Sequence, residues 1–155
     1  ITMDLTYGLE VKMNVAEEIK RNYGFGMPGG GNIEAVAQGG RPVSFTREQV
    51  GQMLEPRVDE IAELIREALD HSGVRLGSWS NVYLTGGGLS MMRGGREYLS
   101  AQMERPIRAS QPKAATLNSP IYASALGLMD LVFETVEKED ESSGILDKVK
   151  HLFKR

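Results

Sequence analysis

The chain has 155 residues, a formal net charge of −3 and 41% hydrophobic residues, which is typical of a globular protein with one sizeable core or two small ones. It has no cysteine, which excludes a disulfide framework and a thiolate metal site, and its two histidines, His71 and His151, suggest neither a zinc site nor a Ser-His-Asp arrangement. The mildly acidic balance gives nucleic-acid binding little support, and the sequence shows neither a signal-peptide pattern nor a transmembrane run. Since the chain starts at Ile1 and enters a helical pattern at once, we expect it to be a piece of a longer protein.

The first predicted elements are two short helices within residues 2–23. Thr2 is the expected N-cap of the first helix and Asn14 the expected N-cap of the second. The glycine-rich stretch 24–32 (GFGMPGGGN) must then form a loop. It lacks the spacing of a phosphate-binding loop, and we interpret it as a flexible connection.

A hairpin is predicted next, with short strands over residues 33–37 and 41–45 and a turn around Gly39 and Gly40. Pro42 has no N–H group to donate, so it places the second strand at a sheet edge or begins that strand. The hairpin leads directly into a long helix.

This long helix is predicted from Thr46 to about His71. Thr46 and Gln49 have the spacing of a capping box, in which each residue satisfies a backbone N–H group of the other. Pro56 should mark a kink or a break between a short first helix and the main one. One face of the helix is apolar and carries Val50, Met53, Leu54, Val58, Ile61, Leu64, Ile65 and Leu69.

The second half of the chain alternates strands with helices. An apolar strand over residues 81–84 runs into the glycine turn 85–88 (TGGG), and a helix at about 91–103, a strand at 106–108 and a helix over 119–135 follow. This order predicts an α/β layer with parallel strand pairing, whereas the first half is of the α+β type.

The glycine turn is a candidate ligand site. Gly86, Gly87 and Gly88 stand between a strand and a helix, where they let the backbone approach a ligand closely and where a helix N-terminus favours an anion. Tight turns also use glycine for purely conformational reasons, and this alternative remains open.

A charged group on the second helix is another candidate. Glu17, Lys20 and Arg21 have the spacing i, i+3, i+4 and therefore share one helix face. They could form a salt-bridged solvent face, or they could grip the ribose hydroxyls and the adenine edge of a nucleotide across a cleft.

The last twelve residues, 144–155 (GILDKVKHLFKR), have a basic amphipathic pattern, with Asp147 as the only acid. A helical stripe of five apolar residues faces four basic ones: Ile145, Leu146, Val149, Leu152 and Phe153 against Lys148, Lys150, Lys154 and Arg155. At about 1.5 Å per residue this helix is roughly 18 Å long, far short of a bilayer core of about 30 Å. It could lie on a membrane but could not cross one.

The segment before this tail, residues 136–143, is acidic and ends in Ser-Ser-Gly, which predicts a solvated linker. A basic amphipathic helix on a polar tether favours an anionic lipid surface. The alternatives are that the apolar stripe packs on the chain's own domain or enters a calmodulin-like partner groove.

Four stretches, in this order, carry a family resemblance. Residues 1–24, with the AE-x-IK element at 16–20, and residues 33–61, with GGRP and EPR, are similar to the helices, hairpin and long helix of a subdomain IIB. Residues 82–94 (VYLTGGGLSMMRG) resemble an adenosine motif, and residues 119–127 resemble the final helix of a subdomain IIA. With the basic tail behind them, they resemble the actin/Hsp70 ATPase superfamily and, within it, the FtsA family of bacterial cell-division proteins.

The resemblance implies the C-terminal part of an actin-like α/β fold. The implied segments are subdomain IIB over 1–73, an α/β layer of subdomain IIA over 74–135, an acidic linker over 136–143 and a membrane-targeting helix over 144–155. The family's N-terminal half, with its phosphate-binding hairpins and Mg-site acids, is outside this chain, and so is the start of subdomain IIA. We therefore expect the strands at 81–84 and 106–109 to be short of sheet partners, and this piece not to hydrolyse ATP by itself.

The resemblance also implies an ATP-binding (Mg-ATP) filament former that tethers FtsZ to the cytoplasmic face of the cell membrane at the division septum. The implied nucleotide contacts are Glu17, Lys20, Arg21, Gly86, Gly87, Gly88 and Met91. The C-terminal tail of FtsZ would dock on the first half, where Arg47 and Arg57 are the candidates. The alternative is an ATPase of the same superfamily with a shape-determining, chaperone-like or pilus-assembly role.

Overall fold

The computed structural model describes residues 1–27, 30–77, 79–113 and 116–139. The predicted tail helix at 144–155 lies outside these residues, as do residues 140–143 of the predicted linker. The helices and strands, in chain order, are α1 (Thr2–Gly8), α2 (Met13–Asn22), β1 (Asn32–Val36), β2 (Pro42–Thr46), α3 (Arg47–Ser72), β3 (Val82–Leu84), α4 (Gly95–Gln102), β4 (Ile107–Ala109) and α5 (Ala123–Glu139). Single 3-10 turns stand at Leu89–Met91 and Pro120–Tyr122. This mixture of helices and small sheets is compatible with the α/β class.

The two N-terminal helices form as predicted, but their caps differ from the prediction. Helix α1 follows Ile1 and α2 follows Lys12, and neither of these residues makes a side-chain cap bond. Thr2 lies inside α1, and its hydroxyl donates to Glu17 Oε2 of α2 at 2.9 Å instead of capping the helix. Asn14 lies inside α2, so both cap predictions were wrong.

The predicted hairpin is confirmed. Strands β1 and β2 pair antiparallel with Ile33 opposite Phe45, and the turn between them holds Gly39 and Gly40 at φ +87° and +77°. Pro42 is the first residue of β2. Alternate residues of β1 are buried, so the hairpin lies with one face on the core.

The capping box of α3 is confirmed in full: Thr46 Oγ1 accepts from the Gln49 N–H at 3.1 Å, and Gln49 Oε1 accepts from the Thr46 N–H at 2.9 Å. Of the kink or break predicted at Pro56, the break is wrong, because α3 runs through this residue as one helix. The turns on either side of the proline are anchored by Leu54 and Val58, which are fully buried. The burial of these two side chains offsets the stability lost with the backbone hydrogen bond that proline cannot make.

The apolar face of α3 is buried over only part of its length. Burial extends from Val50 to Ala62, and beyond it Leu64 and Ile65 are exposed. The second part of the predicted core face therefore lies at the surface of this chain.

The parallel pairing predicted for the second half is confirmed, with Val82 opposite Ile107. The predicted helix at 91–103 starts later, at Gly95, because Gly94 adopts the left-handed region (φ +70°) and separates the 3-10 turn from α4. In the described part of the chain, β3 and β4 form a sheet of two strands.

One hydrophobic core joins both halves of the chain. Its most deeply buried members lie on α1, α2 and α3, and α4 and β4 add Leu99 and Ile107. Residues 24–25 belong to it as well: Phe25 is buried, and its N–H donates to Arg93 O at 2.9 Å. The start of the predicted flexible loop is therefore fixed against the second half.

Helix α5 stands outside this core. Its apolar residues Leu128, Leu131 and Val132 are each more than half exposed. Trp79, the only tryptophan of the chain, is also at the surface, with 93% of its area exposed. Among the helices of the described residues, none combines the length and apolar character needed to span a bilayer.

Candidate functional site: a charged cluster on α2 and a glycine turn

The three charged residues predicted to share a face of α2 do so and bind one another. Lys20 Nζ donates to Glu17 Oε2 at 2.6 Å, and Arg21 Nε donates to Glu17 Oε1 at 3.2 Å. Glu17 thus holds both cations, one on each carboxylate oxygen. The Lys20 ammonium, with help from the Thr2 hydroxyl, holds the pKa of Glu17 below its usual range, so this carboxylate is ionised at neutral pH.

The cluster also fixes α1 against α2. The Thr2 hydroxyl donates to Glu17 and accepts from Lys20 Nζ at 3.1 Å. The Lys20 side chain is only 15% exposed, whereas Arg21 is 76% exposed. Lys20 is therefore part of the packing between the two helices, and Arg21 points to solvent.

The glycine turn 85–88 leaves open space beside two of its residues. A Cβ atom added at Gly86 or Gly88 would meet no atom within 4 Å, and Gly86 has a positive φ of +92°. At Gly87 a Cβ would lie 3.3 Å from Ile121 Cγ2, so this residue packs against the chain before α5. Backbone with open space beside it can come within bonding distance of a ligand.

Met91 closes the 3-10 turn that follows the glycines and is 54% exposed. The Ser90 hydroxyl donates to the Gly86 carbonyl and so closes the glycine turn on itself. Among the described residues, by contrast, the side-chain hydrogen bonds and ion pairs of Glu17, Lys20 and Arg21 all stay within α1 and α2. The structure therefore shows two separate candidate groups, one on α2 and one at the turn.

Arg57, one of the two candidates for partner binding, is already paired with carboxylates of its own chain. Its Nε and Nη2 donate to Asp4 Oδ2 and Oδ1 at 3.0 and 2.6 Å, and Nη1 pairs with Glu60. The Arg57 guanidinium is the largest influence on Asp4, whose pKa is lowered to about 2. This pair links α3 to α1.

Arg47, the other candidate, lies at the edge of a groove. Its Nη1 donates to the Gly24 carbonyl at 3.2 Å, and its guanidinium stands 5.8 Å from the centre of the Tyr23 ring. The groove has a volume of about 700 Å³ and runs between the start of the 24–32 loop, the first half of α3 and Tyr98.

Two tyrosine–carboxylate pairs, which the sequence did not suggest, line this groove. Tyr23 donates to Glu55 Oε1 at 2.8 Å, and Tyr98 donates to Asp59 Oδ1 at 3.0 Å. Burial, followed by the bond to Asp59, raises the pKa of Tyr98 to about 12, and burial together with Glu55 raises that of Tyr23 as well. The i, i+4 spacing of the two acids on α3 was visible in the sequence, but their tyrosine partners lie 32 and 39 residues away.

A family model described as "Cell division protein FtsA" matches residues 1–127. The chain belongs to the FtsA family. The matched range includes both candidate groups and both candidate arginines and stops within α5. Residues 136–139, predicted as the start of a solvated linker, form the end of this helix, so that part of the linker prediction was wrong.

Curated FtsA proteins show the same similarity. The FtsA of Pseudomonas aeruginosa is 29% identical over 139 residues, which cover 83% of this chain and 33% of that protein. The FtsA proteins of Rhizobium meliloti and Escherichia coli K12 are each 27% identical, again over 83% of this chain and about a third of their own length. The chain thus spans about a third of the length of these relatives.

Proposed function

We propose that this chain is the C-terminal part of an actin-like adaptor of cell division, which binds ATP and tethers FtsZ filaments to the cytoplasmic face of the membrane. The observation that carries the cell-division role is the family match over residues 1–127. The membrane, nucleotide and FtsZ functions each rest on a separate group of residues, and each has its own test.

The basic amphipathic pattern of residues 144–155 supports the membrane function. Each Lys or Arg near an anionic leaflet contributes about 1 kcal/mol, so the four bases supply roughly 4 kcal/mol, reduced by the repulsion of Asp147. The five apolar side chains add to this, and the cost of ordering a short helix subtracts from it. One tail is thus a weak anchor, and many tails along a filament would bind by multivalency.

Vesicle sedimentation tests the anchor. Deletion of residues 144–155 should abolish pelleting with anionic vesicles, and Leu152→Glu should weaken it by removing one residue of the apolar stripe. Asp147→Asn is the matched control on the basic face and should bind at least as well as the unchanged chain. Pelleting of the truncated protein with anionic vesicles would falsify the assignment.

The charged cluster on α2 and the open glycine turn support nucleotide binding. Glu17 and Lys20 are proposed to contact ribose and adenine, and the open backbone at Gly86 and Gly88 to approach the nucleotide. Since Lys20 is already paired with Glu17 at 2.6 Å, a bound ribose must share or replace this contact.

The nucleotide proposal is tested by titrating an ATP analogue into the complete natural protein. Lys20→Ala should weaken binding at least tenfold, whereas Lys12→Ala, just before the first turn of the same helix, should leave binding unchanged. Equal affinities for the two variants would remove Lys20 from the site. Turnover without affinity for FtsZ would instead favour a superfamily ATPase of another role.

Arg57 and Arg47 are the proposed contacts for the FtsZ tail. Arg57 is 39% exposed, and a partner carboxylate would have to compete with Asp4 and Glu60 for its guanidinium. Titration of a peptide with the FtsZ C-terminal sequence into Arg57→Ala should show weaker binding than into the control Arg96→Ala, whose side chain is 41% exposed and thus similarly accessible. Equal affinities would place the docking surface elsewhere.

A further inference from the structure

A direct contact joins the two halves of the chain at residues that lie near both proposed nucleotide-binding groups along the sequence. Gly24 and Arg93 form a parallel bridge, in which the Phe25 N–H donates to Arg93 O at 2.9 Å. The Arg93 guanidinium also donates from Nη2 to the Asn22 carbonyl at 3.0 Å. Arg93 therefore binds the segment that follows α2 in two ways: through its main-chain carbonyl and through its guanidinium.

The residue after Arg93 permits this close approach only because it is glycine. Gly94 has φ +70°, and a Cβ atom on it would lie 2.4 Å from the Phe25 carbonyl oxygen. Contacts below 3.0 Å are not tolerated, and the atom in question belongs to the backbone, so the two segments would have to move apart. The two segments thus lie closer together than any residue with a Cβ atom at position 94 would allow.

The side chain of Phe25 adds a packing contact to this backbone contact. Its ring is 4% exposed and lies between Tyr23, at 5.0 Å and edge-on, and Tyr98, at 4.9 Å. Tyr98 belongs to α4, so aromatic packing repeats the connection that the backbone bridge makes. Movement of either half of the chain would disturb both the aromatic packing and the backbone bridge.

The contact is close along the chain to each proposed nucleotide group. Asn22 is the last residue of α2, two positions after Lys20, and Arg93 is two positions after Met91. A shift at the bridge would therefore move the helix that carries Glu17 and Lys20 relative to the glycine turn.

We propose that Arg93 and Gly94 are positioning residues: they hold α2 and the glycine turn at a fixed separation and so set the nucleotide affinity without touching the nucleotide. This inference rests on the nucleotide binding proposed above. It adds two residues to that site that act through the elements on either side of them.

The first test compares two glycines in the complete natural protein. Gly94→Ala should weaken binding of an ATP analogue at least tenfold, because its Cβ pushes the two segments apart. Gly73→Ala is the matched control: Gly73 also has φ +70°, but nothing lies within 4 Å of its Cβ position. It should change the affinity less than twofold at a temperature where circular dichroism shows each protein folded.

The second test keeps the inference falsifiable if Gly94→Ala does not fold. Arg93→Ala leaves the backbone bridge in place and removes only the bond to Asn22, so nucleotide affinity should fall about three- to tenfold. Arg96→Ala is its control, because within the part of the chain that the structure describes the side chain of Arg96 bonds only to the adjacent Glu97.

Hydrogen exchange distinguishes positioning from a general loss of stability. Because coupling between sites is reciprocal, nucleotide should slow the exchange of the Phe25 amide in the unchanged protein and slow it less in Arg93→Ala. If the unchanged protein binds no nucleotide, the proposed function itself fails. If it binds, and folded Arg93→Ala binds equally well with the same protection at Phe25, only the positioning role is overturned.

Discussion

At the scale of single residues, the surface of this chain is organised by charges that hold the first helices together. The Glu17 carboxylate accepts hydrogen bonds from Thr2, Lys20 and Arg21, and so joins α1 to α2. The Asp4 carboxylate accepts from Arg57, and so joins α1 to α3. The same charges on α2 are the proposed nucleotide contacts. A ligand that binds there would therefore change the attachment of α1 as well.

The Asp4–Arg57 pair predicts a defined pH dependence. The pKa of Asp4 falls from an ordinary value of 3.8 to about 2 in the folded chain, so its stabilisation is fully present above pH 4. This stabilisation is lost as the pH falls through 2. Asp4→Asn should lower the free energy of unfolding at pH 7 by less than about 1 kcal/mol, since solvent screens a partly exposed pair.

Urea unfolding of both proteins at pH 7 and below pH 2 measures this difference. The two curves should converge at the lower pH. Asp130→Asn on α5 is the control, since Asp130 forms no ion pair among the described residues. A difference between Asp4→Asn and the unchanged chain that persisted below pH 2 would mean that the loss has another cause.

At the scale of elements, the start of α3 depends on one reciprocal cap. Thr46→Ala should lower the free energy of unfolding by about 1 kcal/mol, because it exposes the Gln49 N–H and releases the Gln49 side chain. Thermal or urea unfolding measures the loss, with Thr46→Ser as the matched control that keeps the hydroxyl. If Thr46→Ser lowered the free energy of unfolding as much as Thr46→Ala, the capping explanation would be contradicted.

The partial burial of α3 gives a second prediction for the same helix. Leu54 is fully buried and Leu64 is 56% exposed, although both belong to its apolar face. Leu54→Ala should cost about 2 to 5 kcal/mol of unfolding free energy, and Leu64→Ala less than about 0.5 kcal/mol. Chemical denaturation of the two variants provides the comparison, and a large loss for Leu64→Ala would show that this surface is covered.

These elements also show which parts of the fold the sequence predicts. The hairpin, the capping box and the parallel strands follow from patterns within a few residues or from the order of elements, and all three are confirmed. The roles of Thr2 and Gly94 depend on contacts with residues 15 and 69 positions away, and no local pattern marks them. The carboxylate partners of Tyr23 and Tyr98 were missed for the same reason.

At the scale of the whole molecule, the chain has one well-packed core and one helix that the core does not reach. Helix α5 exposes Leu128, Leu131 and Val132, a contiguous apolar surface of the kind that causes association. The 155-residue chain should therefore associate as its concentration rises. The double variant Leu128→Glu, Leu131→Glu should suppress this in sedimentation velocity, whereas Glu134→Gln on the same helix should not. Concentration-independent sedimentation of the unchanged chain would contradict the prediction.

The position of Trp79 determines what intrinsic tryptophan fluorescence can report for this chain. As the only tryptophan, with 93% of its surface in water, it should emit at long wavelength in the folded and the unfolded state alike. Its fluorescence will report neither the core nor the groove. A fluorescent probe of the fold therefore requires a tryptophan at a buried position. Phe25 is such a position, because it is enclosed between Tyr23 and Tyr98 at the contact between the two halves. A tryptophan there would respond to changes in both the core and the groove.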